Sequence, residues 1–589
     1  MLIELLLAAA VTVDFTQPTG PVKPLHGVNN CPVRLGSSQD EFKEAGIPFC
    51  RLHDTGGMFG CGAFVDIPNV FPDFDADEND PKSYYFNYTD KLLEPLVAAG
   101  TEPFYRLGVT IENAWAVCSP RRNRPPKDYA KWARVCEHVI RHYTEGWADG
   151  YRWKMRYWEI WNEPEGEGCW QGTQAEFNEL YCVAAKHLKA KFPHLKIGGP
   201  GTIGFYSIDD PTRIPWHDDL ITYQNDFFAK VRAEKAPLDF YAWHLYTDEP
   251  DRVARHAEYG RALLDRNGYA ETESFLDEWN YPHRDWDGMK EAKGAAFVAS
   301  VFCLMQQGPV DKAMYYDAQP TRVYCGLFYY PNGRTTPCYE SFRKWNALYR
   351  DRSAYACVFP SNGVYAAASA CEGKKHVLLV NYGVRSSEVE LALVGAAPAD
   401  FGLEGAKVVL KPNEVRLLES PLRTKTDDTE LFALPAIGVT NVVGQWKREV
   451  PEGRHVAIFS QRIQIEQNPD VRYVLDLGDM RGKAKVTIGA QEYPVLWRPP
   501  YCLDVTMAVK RGRYGRLETS IEVTPPDPSV EPALSTNITV RAVAGEQPKS
   551  FSEWPEGKDP VTIAGRLIDL FLSTTPWGYF PKGYGGAAP

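Results

Sequence analysis

Between residues 24 and 350 the chain alternates, eight times over, between a short β-rich run and an amphipathic stretch bounded by turn residues. This alternation constrains the fold more than any other feature. A strand, a helix and a further strand in succession make a parallel pair with a right-handed crossover. The strand runs fall at 25–29, 49–54, 103–108, 157–163, 196–201, 240–246, 274–280 and 312–319. Helical stretches lie at 89–99, 127–143, 174–191, 220–234, 253–267 and 291–307, closed by 339–349. Eight units in roughly 325 residues predict a (β/α)8 TIM barrel with enlarged loops, such as the aromatic-rich one at 55–88. A doubly wound sheet is the alternative, and it predicts no functional groups at the ends of many different strands. Here Asn29-Asn30, Arg51 with His53 and Asp54, Arg106, Asn162-Glu163, His244 with Tyr246, Glu278-Trp279-Asn280 and Tyr316-Asp317 stand where successive strands end. In a barrel those ends open onto one face, the one that carries active sites.

Beyond residue 350 the pattern becomes short alternating strands with turns every 8–12 residues, the signature of small β-sandwiches. The chain therefore divides into an N-terminal segment (1–23), the barrel (24–350), a β-sandwich accessory domain (351–425) and a further β-rich, jelly-roll-like domain (426–589). The run 11–15 reads as a strand able to pair with the sandwich. The apolar stretch 5–13 before and within it is too short to span a bilayer, and Glu4 stands where a signal peptide carries basic residues. Two readings of the N-terminus remain. As a signal remnant it places the protein in the periplasm or outside the cell, and as a structural segment it leaves it cytoplasmic. No other stretch is long and apolar enough for a membrane partner.

The formal net charge of −11 disfavours a nucleic-acid partner, because an acidic chain repels phosphate. Aromatic residues make up 13% of the chain, which suits ligands that stack on rings, sugars among them. The 13 cysteines include no CxxC pair, so they read as mostly free, buried thiols rather than a metal or redox framework.

Two local patterns carry chemistry. Trp158-Glu159-Ile160-Trp161-Asn162-Glu163-Pro164 begins as a strand and ends in a polar pair, and Phe275-Leu276-Asp277-Glu278-Trp279-Asn280 is a strand with its carboxylate at the end. Carboxylates on different strands converge across a barrel mouth, and two carboxylates flanking a bond are what glycoside hydrolysis needs. Each acid alone reads better as a structural partner of Arg51 or Arg106, but the two together favour catalysis. The sequence contains no HxH, HExxH, Cys/His cluster or GxSxG elbow, so no metal and no cofactor is expected. The Gly199–Gly204 match to GxGxxG lacks the helix that a dinucleotide site requires, and reads as a barrel loop.

With these segments in place the chain resembles glycoside hydrolase family 39, a family of retaining, clan A barrel glycosidases that includes β-xylosidase-like and α-L-iduronidase-like enzymes. HGVNN (26–30), RLHD (51–54), DADENDP (75–81), FYRLG (104–108), WEIWNEP (158–164), KIGGPG (196–201), WHLY (243–246) and LDEWN (276–280) carry the resemblance in order. YVLDLGDMRGKAKVTIG and LWRPPYCLDVT, near the C-terminus, resemble a galactose-binding-like jelly roll. The resemblance implies a double displacement on an oligosaccharide or polysaccharide, with exo action, Glu163 as acid/base and Glu278 as nucleophile. It implies that Asn162, Arg51, His53, Asp54, His244 and Tyr246 contact the sugar or orient the nucleophile. Physical reasoning adds that Arg51 should keep Glu278 ionised while Glu163 holds a proton. Trp279 is a candidate platform for sugar stacking, as are Trp115, Trp170 and Trp286, for which core packing is an equal reading. Residues 317–328 offer no second carboxylate pair to grip a pentose, and no basic pocket for a uronate is evident. A catalytically silent carbohydrate-binding barrel is the competing reading, distinguished by glycan binding without hydrolysis. A metal-dependent hydrolase is a third, and a chelator would remove its activity.

Overall fold

The computed structural model describes residues 9–31, 38–53, 65–111, 123–209, 215–282, 285, 288–320, 324, 326–329, 333–351, 353–361, 363–371, 374–420 and shorter pieces between 436 and 544. Residues 1–422 group as one compact unit and residues 423–555 as another.

The first unit begins with β1 (Ala9–Pro21), which joins a second sheet, and then builds a parallel sheet. Its strands are β2 (Gly27–Asn29), β3 (Phe49–Leu52), β4 (Glu102–Leu107), β5 (Tyr157–Ile160), β6 (Lys196–Gly198), β7 (Gly201–Thr202), β8 (Phe240–Tyr246), β9 (Glu273–Asn280) and β10 (Lys312–Tyr315). They pair in the order β6-β5-β4-β3-β2-β10-β9-β8-β7. β6 and β7 are successive pieces of one strand, interrupted at Gly199–Pro200. The first piece pairs with β5 and the second with β8. The Asp239 amide also donates to the Ile197 carbonyl at 2.9 Å, joining β6 to the start of β8. The two edges of the sheet are therefore one strand, and the sheet closes into the expected eight-stranded barrel.

The intervening helices form because their apolar residues recur at helical spacing and their ends are capped. In Tyr129–Thr144, Trp132, Val135, Cys136, Val139 and Tyr143 make the buried stripe, and Asp128 accepts from the Lys131 amide at the N-cap. Gln174–Lys191 opens with a capping box between Thr173 and Glu176. Ala292–Gln307 is buried nearly all round, because it lies between the barrel and the second sheet.

That second sheet has seven strands in the order Lys407–Leu410, Ser387–Val394, β1, Ser353–Val358, Val364–Cys371, Lys374–Asn381, Val415–Ser420. β1 runs antiparallel to Ser353–Val358 and parallel to Ser387–Val394. Strand alternation sends Tyr365, Ala367, Leu378 and Val380 into the barrel's core, and Val364, Ala366, Val377 and Leu379 into a separate core with Val11, Val13 and Leu391. Both faces of the sheet are thus covered. The second unit holds two antiparallel sheets, of four and five strands, around a core that includes Leu475, Val486, Ile521, Val523 and Val540. Among the described residues no helix is long and apolar enough to cross a membrane. Among the described residues no cysteine is joined in a disulfide, and most of the cysteines are buried.

At the end of helix Pro337–Asp351, Asp351 accepts from the Ser369 hydroxyl at 2.6 Å and from His376 Nδ1, while His376 Nε2 lies 3.1 Å from Glu419. Burial opposes charge on His376, but hydrogen bonds and charges from Asp351 and Glu419 outweigh it and raise the imidazole above its ordinary value. The ion pair contributes fully below the unfolded imidazole value of about 6.5, and is lost as pH rises through the higher folded value. Replacing His376 with Gln is expected to lower the thermal unfolding midpoint most near pH ~6 and progressively less toward pH ~9, as read by circular dichroism. A deficit that stays flat with pH would exclude an imidazolium at this junction.

Candidate active site

Inside a barrel, alternate residues of each strand point inward. Phe49, Phe104, Tyr157, Phe240, Ala242, Phe275 and Met314 form a discrete apolar cluster. Two residues further along their strands come Arg51, Arg106, Glu159, His244 and Asp277, all buried. Asn29, at the end of β2, joins this polar layer. An aromatic floor therefore carries a charged storey, and the mouth residues stand above it.

Arg51 is the hub of that storey. Its Nε contacts Glu159 Oε2 at 2.8 Å and Asp277 Oδ2 at 3.2 Å. NH1 donates to Asn29 Oδ1 at 3.0 Å and to Glu278 Oε2 at 3.1 Å. NH2 donates to Asn162 Oδ1 at 2.6 Å. Gly201 completes the enclosure, because a Cβ there would stand 2.8 Å from each of Arg51 NH2, Glu159 Oε1 and His244 Nε2.

A β-bulge explains how two consecutive acids of β9 both face inward. Trp243 of β8 pairs with Leu276, but His244 pairs with Glu278, leaving Asp277 as the extra residue. Asp277 fills the polar layer and Glu278 rises into the mouth. Trp279 consequently turns outward, fully buried against Phe297 and Phe302 of helix Ala292–Gln307 and against Tyr315. The expectation that Trp279 stacks on a sugar is corrected by this geometry. Trp170 is likewise core, packed on Trp161 and Phe177.

β5 ends at Ile160, three residues before its predicted end, and the chain turns with positive φ at Trp161 (74°) and Glu163 (41°). The Glu163 amide donates to the Gly201 carbonyl at 2.6 Å, which fixes the turn against β7. Glu163 Oε1 lies 2.7 Å from His244 Nδ1, and the Tyr246 hydroxyl donates to Glu278 Oε1 at 3.0 Å. One donor atom each of Glu163, His244 and Glu278 fall within 4.8 Å of one another, a spacing that a cation can also use. The contacts present are those of shared protons, Glu163 with His244 and Glu278 with Arg51 and Tyr246.

Charge is graded through this cluster. Burial opposes protonation of His244, but Glu278, Asp277 and Glu163 together raise it well above the ordinary imidazole value. Burial raises Glu159 well above the carboxylate range, against Arg51, with Asp277 adding to the rise. Burial acts on Asp277 too, but there Arg51 and His244 prevail and lower it. Glu159 therefore carries the proton of the pair and Asp277 the charge. Burial, Arg51, Arg106 and His244 push His53 well below its usual value, so it is a neutral imidazole.

Glu163, Glu278, Asn162, Arg51, His244 and Tyr246 thus meet at one mouth. His53 borders it through Arg106, which donates to the His53 carbonyl at 3.1 Å and to Asp66 at 2.7 Å. Asp54, Trp115 and Trp286 lie outside the described residues. The residues that sequence reasoning missed are Glu159 and Asp277. Glu159 was findable as the inward position two beyond Tyr157. Asp277 required the bulge, for which two successive acids in an apolar strand are the only signal.

The family model of the glycosyl hydrolases of family 39 matches residues 37–264. A β-xylosidase of Geobacillus stearothermophilus is 24% identical over 269 residues, 41% of this chain and 50% of that protein. A β-xylosidase of Caldicellulosiruptor saccharolyticus is 29% identical over 212 residues, 34% of this chain and 39% of that protein. The chain thus spans half or less of the length of these curated relatives. Among solved structures, a glucosidase from Croceicoccus marinus superposes with a TM-score of 0.55 at 19% identity, covering 88% of this chain and 100% of that one. A family 39 β-xylosidase from Caulobacter crescentus gives 0.50 at 20% identity, covering 70% and 100%.

Removing a buried cation leaves its partners uncompensated, at about 3–5 kcal/mol. Arg51→Met is expected to lose stability on that order in urea unfolding of the isolated protein. Adding Asp277→Asn should recover more of the loss than adding Glu159→Gln, because Glu159 already holds a proton. Equal recovery would contradict the assigned proton.

Proposed function

We propose, from the match of residues 37–264 to the family model of the glycosyl hydrolases of family 39, that this chain is a retaining, exo-acting glycoside hydrolase working by double displacement. The observation that carries the reading is the pairing at the mouth. Glu278 has a permanent cation and a phenol on its two oxygens, whereas Glu163 faces an imidazole and is the more exposed, with 23% of its side chain accessible against 9%. Their facing donor atoms lie within 4.8 Å, in keeping with the ~5–5.5 Å carboxyl separation of retaining enzymes and short of the ~6.5–9.5 Å of inverting ones.

In the first step a Glu278 oxygen attacks the anomeric carbon, the glycosidic bond breaks, and the Glu163 proton passes to the leaving oxygen. Glu278 is then an ester and Glu163 a carboxylate. In the second step Glu163 takes a proton from water, the water oxygen attacks the same carbon, and Glu278 leaves as a carboxylate. Asn162, held by Arg51, and His53 are the groups proposed to meet sugar hydroxyls, and Asp54 is proposed with them. The proposed substrates are non-reducing ends of oligosaccharides or polysaccharides carrying a neutral β-linked sugar. β-Xylosides come first among them, since both curated relatives bear that name.

Glu278→Gln and Glu163→Gln are each expected to lower kcat on β-xylobiose by at least ~10³-fold. Azide should restore turnover of an activated aryl β-xyloside by Glu163→Ala. Proton NMR of the wild-type reaction should show the β-anomer first. An α-anomer as first product would defeat double displacement, and glycan binding with no turnover of any aryl glycoside would favour a silent barrel.

A further inference from the structure

β8 outruns its neighbour in the barrel. β7 ends at Thr202, opposite Trp243, but β8 continues to Tyr246. Once the strand beside it has stopped, a buried amide on that flank needs an acceptor from outside the sheet. The loop after β7 supplies one. Its Tyr206 hydroxyl accepts from the Tyr246 amide at 3.0 Å. Tyr246 in turn donates its own hydroxyl to Glu278 Oε1 at 3.0 Å. A phenol with no step in the double displacement therefore holds the backbone of the phenol that bonds the proposed nucleophile.

The loop is built to keep Tyr206 there. Gly204, at a φ of 120°, lets the chain close on the His244 carbonyl, where a Cβ would collide. Gln224 of helix Pro215–Ala233 donates to the Gly204 carbonyl at 2.8 Å. Tyr206 opens the short turn Tyr206–Ile208, and Asp209 follows it. The first turns of helix Pro250–Arg266 clasp Asp209. Arg252 Nε donates to its Oδ1 at 2.9 Å, Arg255 NH2 donates to its Oδ2 at 3.1 Å, and His256 Nε2 lies 3.0 Å from Oδ1. The Arg252 guanidinium also lies over the Tyr206 ring, 5.5 Å from its centroid, and the His256 ring meets it edge-on at 6.2 Å. Two helices thus fix a buried side chain whose hydroxyl is turned to the Tyr246 amide.

Packing asks only for the ring. The hydroxyl is what reaches β8, and it does so at the residue whose side chain meets Glu278. Arg51 holds Glu278 Oε2 and Tyr246 holds Oε1, so the plane of that carboxylate follows where Tyr246 stands. An attacking carboxylate is effective only when it is aligned with its target. Resting on the proposed nucleophilic role of Glu278, we propose that Tyr206 is a positioning residue, which through the Tyr246 amide places the phenol that orients Glu278.

The test is a double-mutant cycle on β-xylobiose, with the fold of each variant checked by circular dichroism. Tyr206→Phe keeps the ring and removes the acceptor. It is expected to lower kcat about tenfold with KM changed less than about twofold, since alignment of the nucleophile is felt in the chemical step. In a Tyr246→Phe background the same change should cost less than about twofold, because the phenol it places is gone. Asp209→Asn loosens the loop from its anchor, should lower kcat by a smaller factor, and should likewise lose its effect beside Tyr246→Phe. This variant also serves if Tyr206→Phe fails to fold. Losses that multiply across the cycle, or a Tyr206→Phe variant with wild-type kcat, would overturn the proposal and leave Tyr206 a packing residue. The ¹³Cζ resonance of Tyr246 in the tyrosine-labelled full chain, assigned by its disappearance in Tyr246→Phe, is a readout that needs no turnover. Glu278→Ala removes the acceptor of the Tyr246 hydroxyl and sets the direction of the shift, and Tyr206→Phe should move the resonance the same way. An unmoved resonance overturns the positioning role whether or not the wild type hydrolyses a glycoside. A moved one in a protein that hydrolyses none overturns the glycosidase reading alone.

Discussion

The barrel's interior depends on one buried guanidinium. Arg51 is wholly out of solvent, and its nitrogens meet Asn29 of β2, Glu159 of β5, Asn162 just beyond β5, and Asp277 and Glu278 of β9. A lone guanidinium at that depth would cost several kcal/mol, so the acids around it are a condition of folding before they are a condition of chemistry. The aromatic floor beneath offsets part of the expense, since each fully buried large side chain there contributes about 1.5–3 kcal/mol. A planar fork meeting five side chains also registers the strands that carry them. The same contacts that close the barrel therefore hold Glu278 in place at its mouth.

Much of this was legible in the sequence, for identifiable reasons. The eight-fold alternation survives as the barrel because each strand needs a helix to cover its outer face. The site residues stood at strand ends, where alternation alone carries a side chain into the mouth, and so Arg51, Asn162, Glu163, His244, Tyr246 and Glu278 could be read together. What the sequence could not display were departures from period two. The bulge at Asp277 shifts the register by one and reverses the fates of Asp277 and Trp279. Trp279 thus looked like a mouth residue and is a core residue. The break at Gly199–Pro200 divides one predicted strand into two pieces with different neighbours. Each departure depends on long-range pairing that no local window contains.

The proposed double displacement is compatible with the charge layout of this interior. In the proposed resting state, Arg51 and His244 carry positive charge, Asp277 and Glu278 carry negative charge, and Glu159 and Glu163 are neutral. In the proposed glycosyl-enzyme, Glu278 would be an ester and Glu163 a carboxylate. The buried cluster then has the same net charge, with one negative charge moved from Glu278 to Glu163. His244 is the group placed for that transfer, 2.7 Å from Glu163 and 3.9 Å from Glu278. Its other nitrogen is held 3.4 Å from Asp277, whose charge does not change during the reaction. Moving a charge between two partners of a fixed imidazolium avoids changing the net charge of a low-dielectric interior, where such a change is most expensive. A barrel that must keep Arg51 compensated in order to stay folded would therefore pass through both proposed half-reactions without losing that compensation.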